Sequence, residues 1–157
     1  MSGCSSPTIK TTKQLTPNDV GTVAVLPFSG INGSQFADAV TQELVMNDVA
    51  VVERSMVVSI LTEQGLSILD ITEGRGNYSQ IGGLLGVDSL VLGSVSPIIV
   101  YASGAPSGKV STASIRIVSV KDGTIIGSTS YNANTELLAG SVLYPKAAEK
   151  MIRGLFK

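Results

Sequence analysis

Residues 88–103 have the sequence DSLVLGSVSPIIVYAS, and they begin the part of the chain in which one strand follows another. Two further segments rich in β-branched residues come after it, KVSTASIRIVSV at 109–120 and GTIIGSTSYNA at 123–133. The last two are joined by a Lys-Asp-Gly turn, in which Asp-Gly accepts a positive φ. The pattern therefore predicts three consecutive strands.

The rest of the chain alternates between strand and helix patterns. Short β-branched runs predict strands, and apolar residues at helical spacing predict helices. The strands are TVAVLPF at 22–28 and VAVVE at 49–53, and the helices cover 35–47, 55–64, 79–85 and 138–156. Pro145 would kink or delay the last helix. The order βαβααβββα indicates an α/β fold, with helices packed on a mixed sheet.

Composition bounds the class of protein. A chain of 157 residues suits one domain, which we place at residues 20–157, preceded by a short leader at 1–19. Hydrophobic residues make up 43% and aromatic ones 4%, so the core is built from aliphatic side chains. The net charge is -1 and the charged residues are spread singly along the chain. No stripe of basic residues is available to neutralise a row of phosphates, and nucleic acid is not expected as a partner.

Two absences in the sequence exclude much chemistry. The chain has no histidine, which removes Ser-His-Asp and Cys-His catalysis and the commonest metal ligand. Its single cysteine forbids an internal disulfide and the usual Cys/His zinc sites. No apolar stretch approaches the ~18–20 residues that a spanning helix needs. We therefore expect no metal and no cofactor.

The leader carries that cysteine at position 4. Ser2, Gly3 and Cys4 resemble the end of a bacterial lipobox, in which small residues precede the cysteine that is acylated after signal peptidase cleavage. The apolar segment that precedes such a cysteine is missing, so we interpret Met1 as a start that replaces the signal peptide. The Ser/Thr/Lys/Pro-rich stretch that follows has the composition of a flexible tether. The alternative is an incidental cysteine in a disordered N-terminus.

Few residues suggest catalysis. The loop SGINGS at 29–34 lacks the Lys-Ser/Thr pair of a P-loop, and the glycines of 74–86 do not fit the dinucleotide fingerprint. No spacing makes two carboxylates converge on a cleft. Glu53 and Arg54 stand at a strand end, where adjacent charges usually form a structural ion pair or cap a helix. No catalytic residue is predicted, although a shielded pocket around Glu53, Arg54 or Asp88 would reopen the question.

Three segments together resemble a known family. VAVLPFSG at 23–30, VVERSMVVSILTEQGL at 51–66 and IGGLLGVDSLVLGSV at 81–95 resemble the CsgG/LpoB-like family of bacterial outer-membrane lipoproteins. That family includes a curli secretion channel subunit and a penicillin-binding-protein activator. Glu53 and Arg54 match its acidic-basic pair, and Gly93 matches its strand glycine. The Leu-x-x-Glu pattern at the helix end is shortened here.

The resemblance implies an anticodon-binding-domain-like fold, lipidation at Cys4, exposure to the periplasm at the outer membrane, and no enzymatic activity. Channel members of the family insert membrane hairpins near the third and later strands, and the link ASGAPSG at 102–108 is too short for such an insertion. We therefore expect an accessory or assembly factor that acts through protein–protein contact. Alternatives are self-assembly into a ring and an oligomeric secretion-channel subunit of the curli type.

The partner-binding segment is the least determined feature. Apolar composition favours a buried interface, because leftover hydrophobic surface tends to mark interaction sites. The segment chosen is IIVYASGAP at 98–106, where a strand runs into a Gly/Pro/Ser loop. An ordinary strand end is the alternative. The predicted contact residues are Ile98, Ile99, Val100 and Tyr101.

Overall fold

A computed structural model describes residues 8–72, 75–100, 105–133 and 142–156. Strands and helices alternate at first, and three long strands follow before a last helix. The elements are β1 (Thr8–Thr11), α1 (Pro17–Val20), β2 (Val23–Val25), α2 (Gly33–Met46), α3 (Arg54–Glu63), α4 (Ile68–Thr72), α5 (Tyr78–Leu85), β3 (Ser89–Val100), β4 (Ala105–Ser119), β5 (Ile125–Asn132) and α6 (Tyr144–Leu155).

The strands form one mixed sheet in the order β1-β5-β4-β3-β2. β2 is parallel to β3, and every other neighbouring pair is antiparallel. The parallel pair requires a crossover, which α2 to α5 supply. The prediction of an α/β fold with helices on a mixed sheet is confirmed.

Alternation along the strands divides the core into two layers. Leu90 and Leu92 of β3 point to the side that α3, α4 and α5 cover, whereas Val91 and Val95 point to the side that α2 and α6 cover. Successive side chains of a strand face opposite ways, so apolar runs are buried on both faces. β2 does the same with Val23, Ala24 and Val25.

The three predicted C-terminal strands are present, and the first two are longer than the sheet around them. β5 pairs with β4 only as far as Asn132, opposite Thr112. Beyond that point β3 and β4 pair with each other up to Val100 and Ala105, after register shifts on either side of Pro97. The β3–β4 hairpin therefore projects past the end of the sheet.

The prediction of a strand at 49–53 is wrong. In the structure only Val51 bridges β2, opposite Val23. The Val23 N–H donates to the Ala50 carbonyl, and the Val52 N–H donates to the Val23 carbonyl. The left-handed backbone of Asp48 and the start of α3 at Arg54 leave room for no more than this bridge.

The leader also differs from the prediction of a tether over 1–19. Thr8–Thr11 pair with β5, and Leu15 is buried, with its N–H donating to the Leu155 carbonyl at 2.8 Å. The polar composition hides this role because an edge strand needs main-chain hydrogen bonds rather than apolar side chains. Cys4 and the rest of 1–7 lie outside the described residues.

The last helix begins at Tyr144, later than the predicted 138, with a proline in its first turn. Pro145 occupies the position at which its missing N–H costs nothing, so it delays the helix rather than kinking it. Within the described ranges, no helix combines the length and the apolar character that crossing a membrane requires.

Candidate functional site

Glu53 and Arg54, the charged pair singled out by the sequence, do not pair with each other. The Glu53 carboxylate caps α3, accepting from the Ser55 N–H at 3.4 Å and the Ser55 hydroxyl at 3.3 Å. Arg54 forms an ion pair with Asp38 of α2 and donates to the Ser34 carbonyl at 2.9 Å. Of the two roles considered for this pair, Glu53 has that of a helix cap, whereas Arg54 forms a helix–helix bridge, because adjacent residues at a helix start point in different directions.

A shallow groove of about 490 Å³ lies beside this bridge. Arg54 is largely buried there, and its Nε–H has no hydrogen-bond partner. The one acid of the groove, Asp38, already pairs with Arg54, and the remaining lining is Ser55, Val58 and Ser59. With no second acid in this lining, the groove lacks a pair of groups for acid-base catalysis.

A second concavity, of about 540 Å³, lies beside the start of β3 and brings together Asp19, Asp88 and Lys121. All three side chains are exposed, and the two carboxylates accept hydrogen bonds from backbone N–H groups. Asp88 accepts from the Thr22 N–H at 2.9 Å. Asp19 accepts from the N–H of Thr16 at 2.7 Å, and this bond, followed by one from the Thr16 hydroxyl, lowers the pKa of Asp19. The concavity is not the solvent-shielded pocket that an enzyme reading requires.

Among the described residues, no group of three or more acidic or cysteine side chains could hold a metal ion. Two buried phenols have a shifted pKa. Burial raises the pKa of Tyr131 and of Tyr144. Both belong to the core between the sheet and α6, and both are neutral over the physiological range. These tyrosines are structural.

The predicted contact segment lies on the projecting hairpin. Ile98 is buried, so it is not an exposed contact in this chain alone. Ile99 and Val100 belong to β3, but their side chains, and the whole of Tyr101, lie outside the described residues. The part of the prediction that the structure describes is the position of the hairpin at one end of the molecule.

Two exposed apolar side chains lie at that same end, and the sequence analysis did not single them out. Ile31 in the β2–α2 loop and Leu143 before α6 are each more than half exposed, at 54% and 55%. The Tyr144 hydroxyl donates to the Ile31 carbonyl at 3.2 Å, and Leu143 bridges Lys109 of β4. We call Ile31, Leu143 and the projecting hairpin the apolar end. An isoleucine between glycine and asparagine in a polar loop is the signal that could have revealed it.

The sheet also has a face of hydroxyl side chains that lies open to solvent. On the side covered elsewhere by α3 to α5, strands β3, β4 and β5 carry Ser94, Ser114, Ser128 and Ser130. Lys10 and Arg116 lie among them and line a concavity of about 400 Å³ with Ile125. We call this surface the open face. Its two cations and its hydroxyl groups suit it to contacts rather than to chemistry.

Comparison with known proteins identifies the family of this chain. The sequence model described as "Curli production assembly/transport component CsgG" matches residues 13–110, which is more than half of the chain. The chain belongs to the CsgG family. Comparison with curated protein sequences gives no match.

Solved structures share the fold of this CsgG-family chain. A PelC dodecamer from Paraburkholderia phytofirmans superposes with a TM-score of 0.54 at 12% identity, covering 95% of this chain and 94% of that chain. Lipoprotein GNA1162 from Neisseria meningitidis gives 0.55 at 18% identity, covering 70% and 79%. The LpoB C-terminal domain from Salmonella enterica gives 0.52 at 16% identity, also covering 70% and 79%. The identities are low, and the likeness concerns the fold.

Proposed function

We propose that this protein is a non-enzymatic lipoprotein of the outer membrane that faces the periplasm and acts as an accessory or assembly factor through protein–protein contact. Membership of the CsgG family supports a role in assembly or transport. The observation that carries the proposal is the apolar end, where Ile31 and Leu143 expose apolar surface beside a hairpin that projects from the sheet. Exposed apolar surface of this kind favours a docked partner.

The first part of the proposal is the lipid anchor on Cys4. The chain is expressed behind a lipoprotein signal peptide, and the Cys4→Ala variant is compared with the unchanged chain by membrane fractionation. We expect the unchanged chain in the outer-membrane fraction, and the variant unprocessed and absent from it. Equal fractionation of the two would refute lipidation at Cys4.

The second part is the contact surface. A photo-crosslinking residue at Leu143 is compared in cells with the same residue at Leu69, which is 61% exposed on α4 and is not part of the apolar end. We expect a discrete crosslinked product from position 143 and none from position 69. Matching products at both positions, or none at 143, would contradict a partner at the apolar end.

The family description favours a second candidate, a subunit of an oligomeric secretion channel of the curli type. Light scattering on the lipidated protein, extracted in mild detergent, tests whether it forms the ring that a channel requires. A closed ring of many subunits supports the channel or an assembly role, whereas a monomer supports a tethered domain that binds another protein.

A further inference from the structure

The fold separates charges that the sequence scatters. At the β2 edge of the sheet, exposed acids lie on α2, on α3 and in the turn between them. They are Asp38, Asp48, Glu53 and Glu63. Arg54 is the cation among them, and its ion pair with Asp38 neutralises both. The other three acids form no ion pair with any described residue, and we call this surface the acidic edge.

The opposite edge is basic. β1 ends the sheet there and carries Lys10, which faces Arg116 of β4 across the open face. α6 packs beside α2 and over β4, β5 and β1, and it adds Lys146, Lys150 and Arg153. The anion of this helix, Glu149, is shared by Lys146 at 3.0 Å and Arg153 at 2.9 Å. Cations therefore exceed anions on this surface, which we call the basic edge.

Apolar side chains accompany the charges on both edges. Val45 of α2 is 56% exposed and Val58 of α3 is 36% exposed on the acidic edge. Ile9 of β1 and Ile125 of β5 are exposed on the basic edge, at 36% and 59%. Ile125 lines the same concavity as Lys10 and Arg116. Each edge thus combines one sign of charge with exposed apolar area, which is the composition of a docking surface.

From these two surfaces we infer that the basic edge of one copy of this chain docks on the acidic edge of the next. A two-fold contact would bring like charges together and is disfavoured, whereas a head-to-tail contact pairs opposite charges. Because the two edges are different surfaces, such a contact continues from copy to copy and gives a closed ring or an open filament. The inference rests on the assembly role proposed above and names the surfaces through which it works.

The test uses two variants of the full 157-residue chain. Asp48→Asn with Glu63→Lys weakens the acidic edge. Asn tolerates the left-handed backbone at position 48, and Lys is favourable at the C-terminal end of α3. Lys10→Glu with Lys150→Glu reverses the basic edge. Lys121→Glu, in the exposed β4–β5 turn outside both edges, is the control.

Association is measured as the weight-average mass by light scattering over a concentration series, at about 0.05 M and about 0.5 M salt. Thermal melting shows that each variant is folded. We expect the unchanged chain and the Lys121→Glu control to associate, more strongly at low salt. Each double variant alone should associate about tenfold or more weakly, and a one-to-one mixture of the two should recover association that neither shows alone.

The outcomes separate the surfaces from the proposed function. Association that neither variant weakens, or a mixture that recovers nothing, overturns the assignment of these edges and leaves an assembly role standing. A monomer at every concentration and salt overturns head-to-tail docking, and the crosslinking experiment at Leu143 then decides whether the chain still binds another protein.

Discussion

At the scale of single residues, Gly93 of β3 is a position with no room for a side chain. A Cβ atom at this position would lie 2.0 Å from the Ser114 carbonyl oxygen and 2.8 Å from the Phe28 ring. The oxygen belongs to the backbone of β4 and cannot move aside without breaking the sheet. We expect Gly93→Ala to lower the free energy of unfolding by about 2 kcal/mol or more, measured by urea denaturation.

Gly83 of α5 is the matched control for this substitution. A Cβ atom there meets nothing within 4 Å, and the residue is exposed within a helix. Gly83→Ala should raise the free energy of unfolding by about 0.5–1 kcal/mol, since alanine loses less backbone entropy in a helix. Equal effects of the two alanines would show that Gly93 is not closely packed.

Asp122, in the β4–β5 turn, gives a prediction that depends on pH. The Thr124 hydroxyl donates to its carboxylate at 2.7 Å and the Thr124 N–H at 3.2 Å, and these bonds lower the pKa of Asp122 below its ordinary value of 3.8. A lowered pKa in the folded state contributes stability above pH 3.8, which is lost as the pH falls through the folded-state value. We therefore expect Asp122→Asn to destabilise the protein at about pH 6 and to match it at strongly acidic pH.

The measurement is the urea midpoint of both proteins across that range. The neighbouring Lys121→Gln is the control, because it leaves the hydrogen bonds between Asp122 and Thr124 in place and should keep the loss of stability in acid. A difference between Asp122→Asn and the unchanged chain that persists unaltered into acid would contradict a charge-dependent turn.

At the scale of elements, the segment 12–20 tests whether the leader belongs to the fold. Leu15 is 2% exposed and packs in the layer beneath α6. Leu15→Ala should cost about 2–5 kcal/mol of stability, because it removes a buried side chain and leaves a cavity. The exposed neighbour Gln14→Ala should cost little. If residues 1–19 were a flexible tether, both alanines would be silent in chemical denaturation.

The elements that could be predicted are those whose own side chains enter the core. Alternation through Leu90 to Val95 and the Asp-Gly turn before β5 fix β3 to β5 from the sequence. The strand Thr8–Thr11 is mostly exposed, so its pattern carries no apolar signal, and only its pairing with β5 defines it. The run at 49–53 has that signal, and its Val49 is buried, yet only Val51 bridges β2 and no strand forms.

At the scale of the whole molecule, the sequence does not reveal how charge is distributed over the surface. The charges near Asp48 and near Lys150 are each unremarkable in their own segments, and only the order of the sheet sets them on opposite edges. Counting charge separately for 34–88 and for the rest of the chain would have revealed the asymmetry, but not its geometry. The lipobox match at Cys4 is a local signal, and it can be recognised in the sequence without knowledge of the fold.

The last prediction concerns the apolar end and tests its contact with a partner, not its contribution to stability. Ile31 and Leu143 contribute little to the core because more than half of each is exposed. Ile31→Ser with Leu143→Ser should therefore leave the urea midpoint within the small range of surface substitutions, about 0.5 kcal/mol for each change. The same double variant should lose the crosslinked product when the photo-crosslinking residue is placed next to the patch at Lys146, on the first turn of α6.

Leu69→Ser, an equally exposed change on α4, is the matched control and should keep that product. If this surface binds a partner, the double variant loses the crosslinked product and keeps its urea midpoint. The reason is that exposed apolar area there stabilises the complex and not the monomer. A double variant that unfolds at lower urea would show instead that Ile31 and Leu143 hold the β2–α2 loop against α6. A stable variant that keeps its product would move the contact away from this end of the molecule, and the basic and acidic edges would then be the surfaces to test for it.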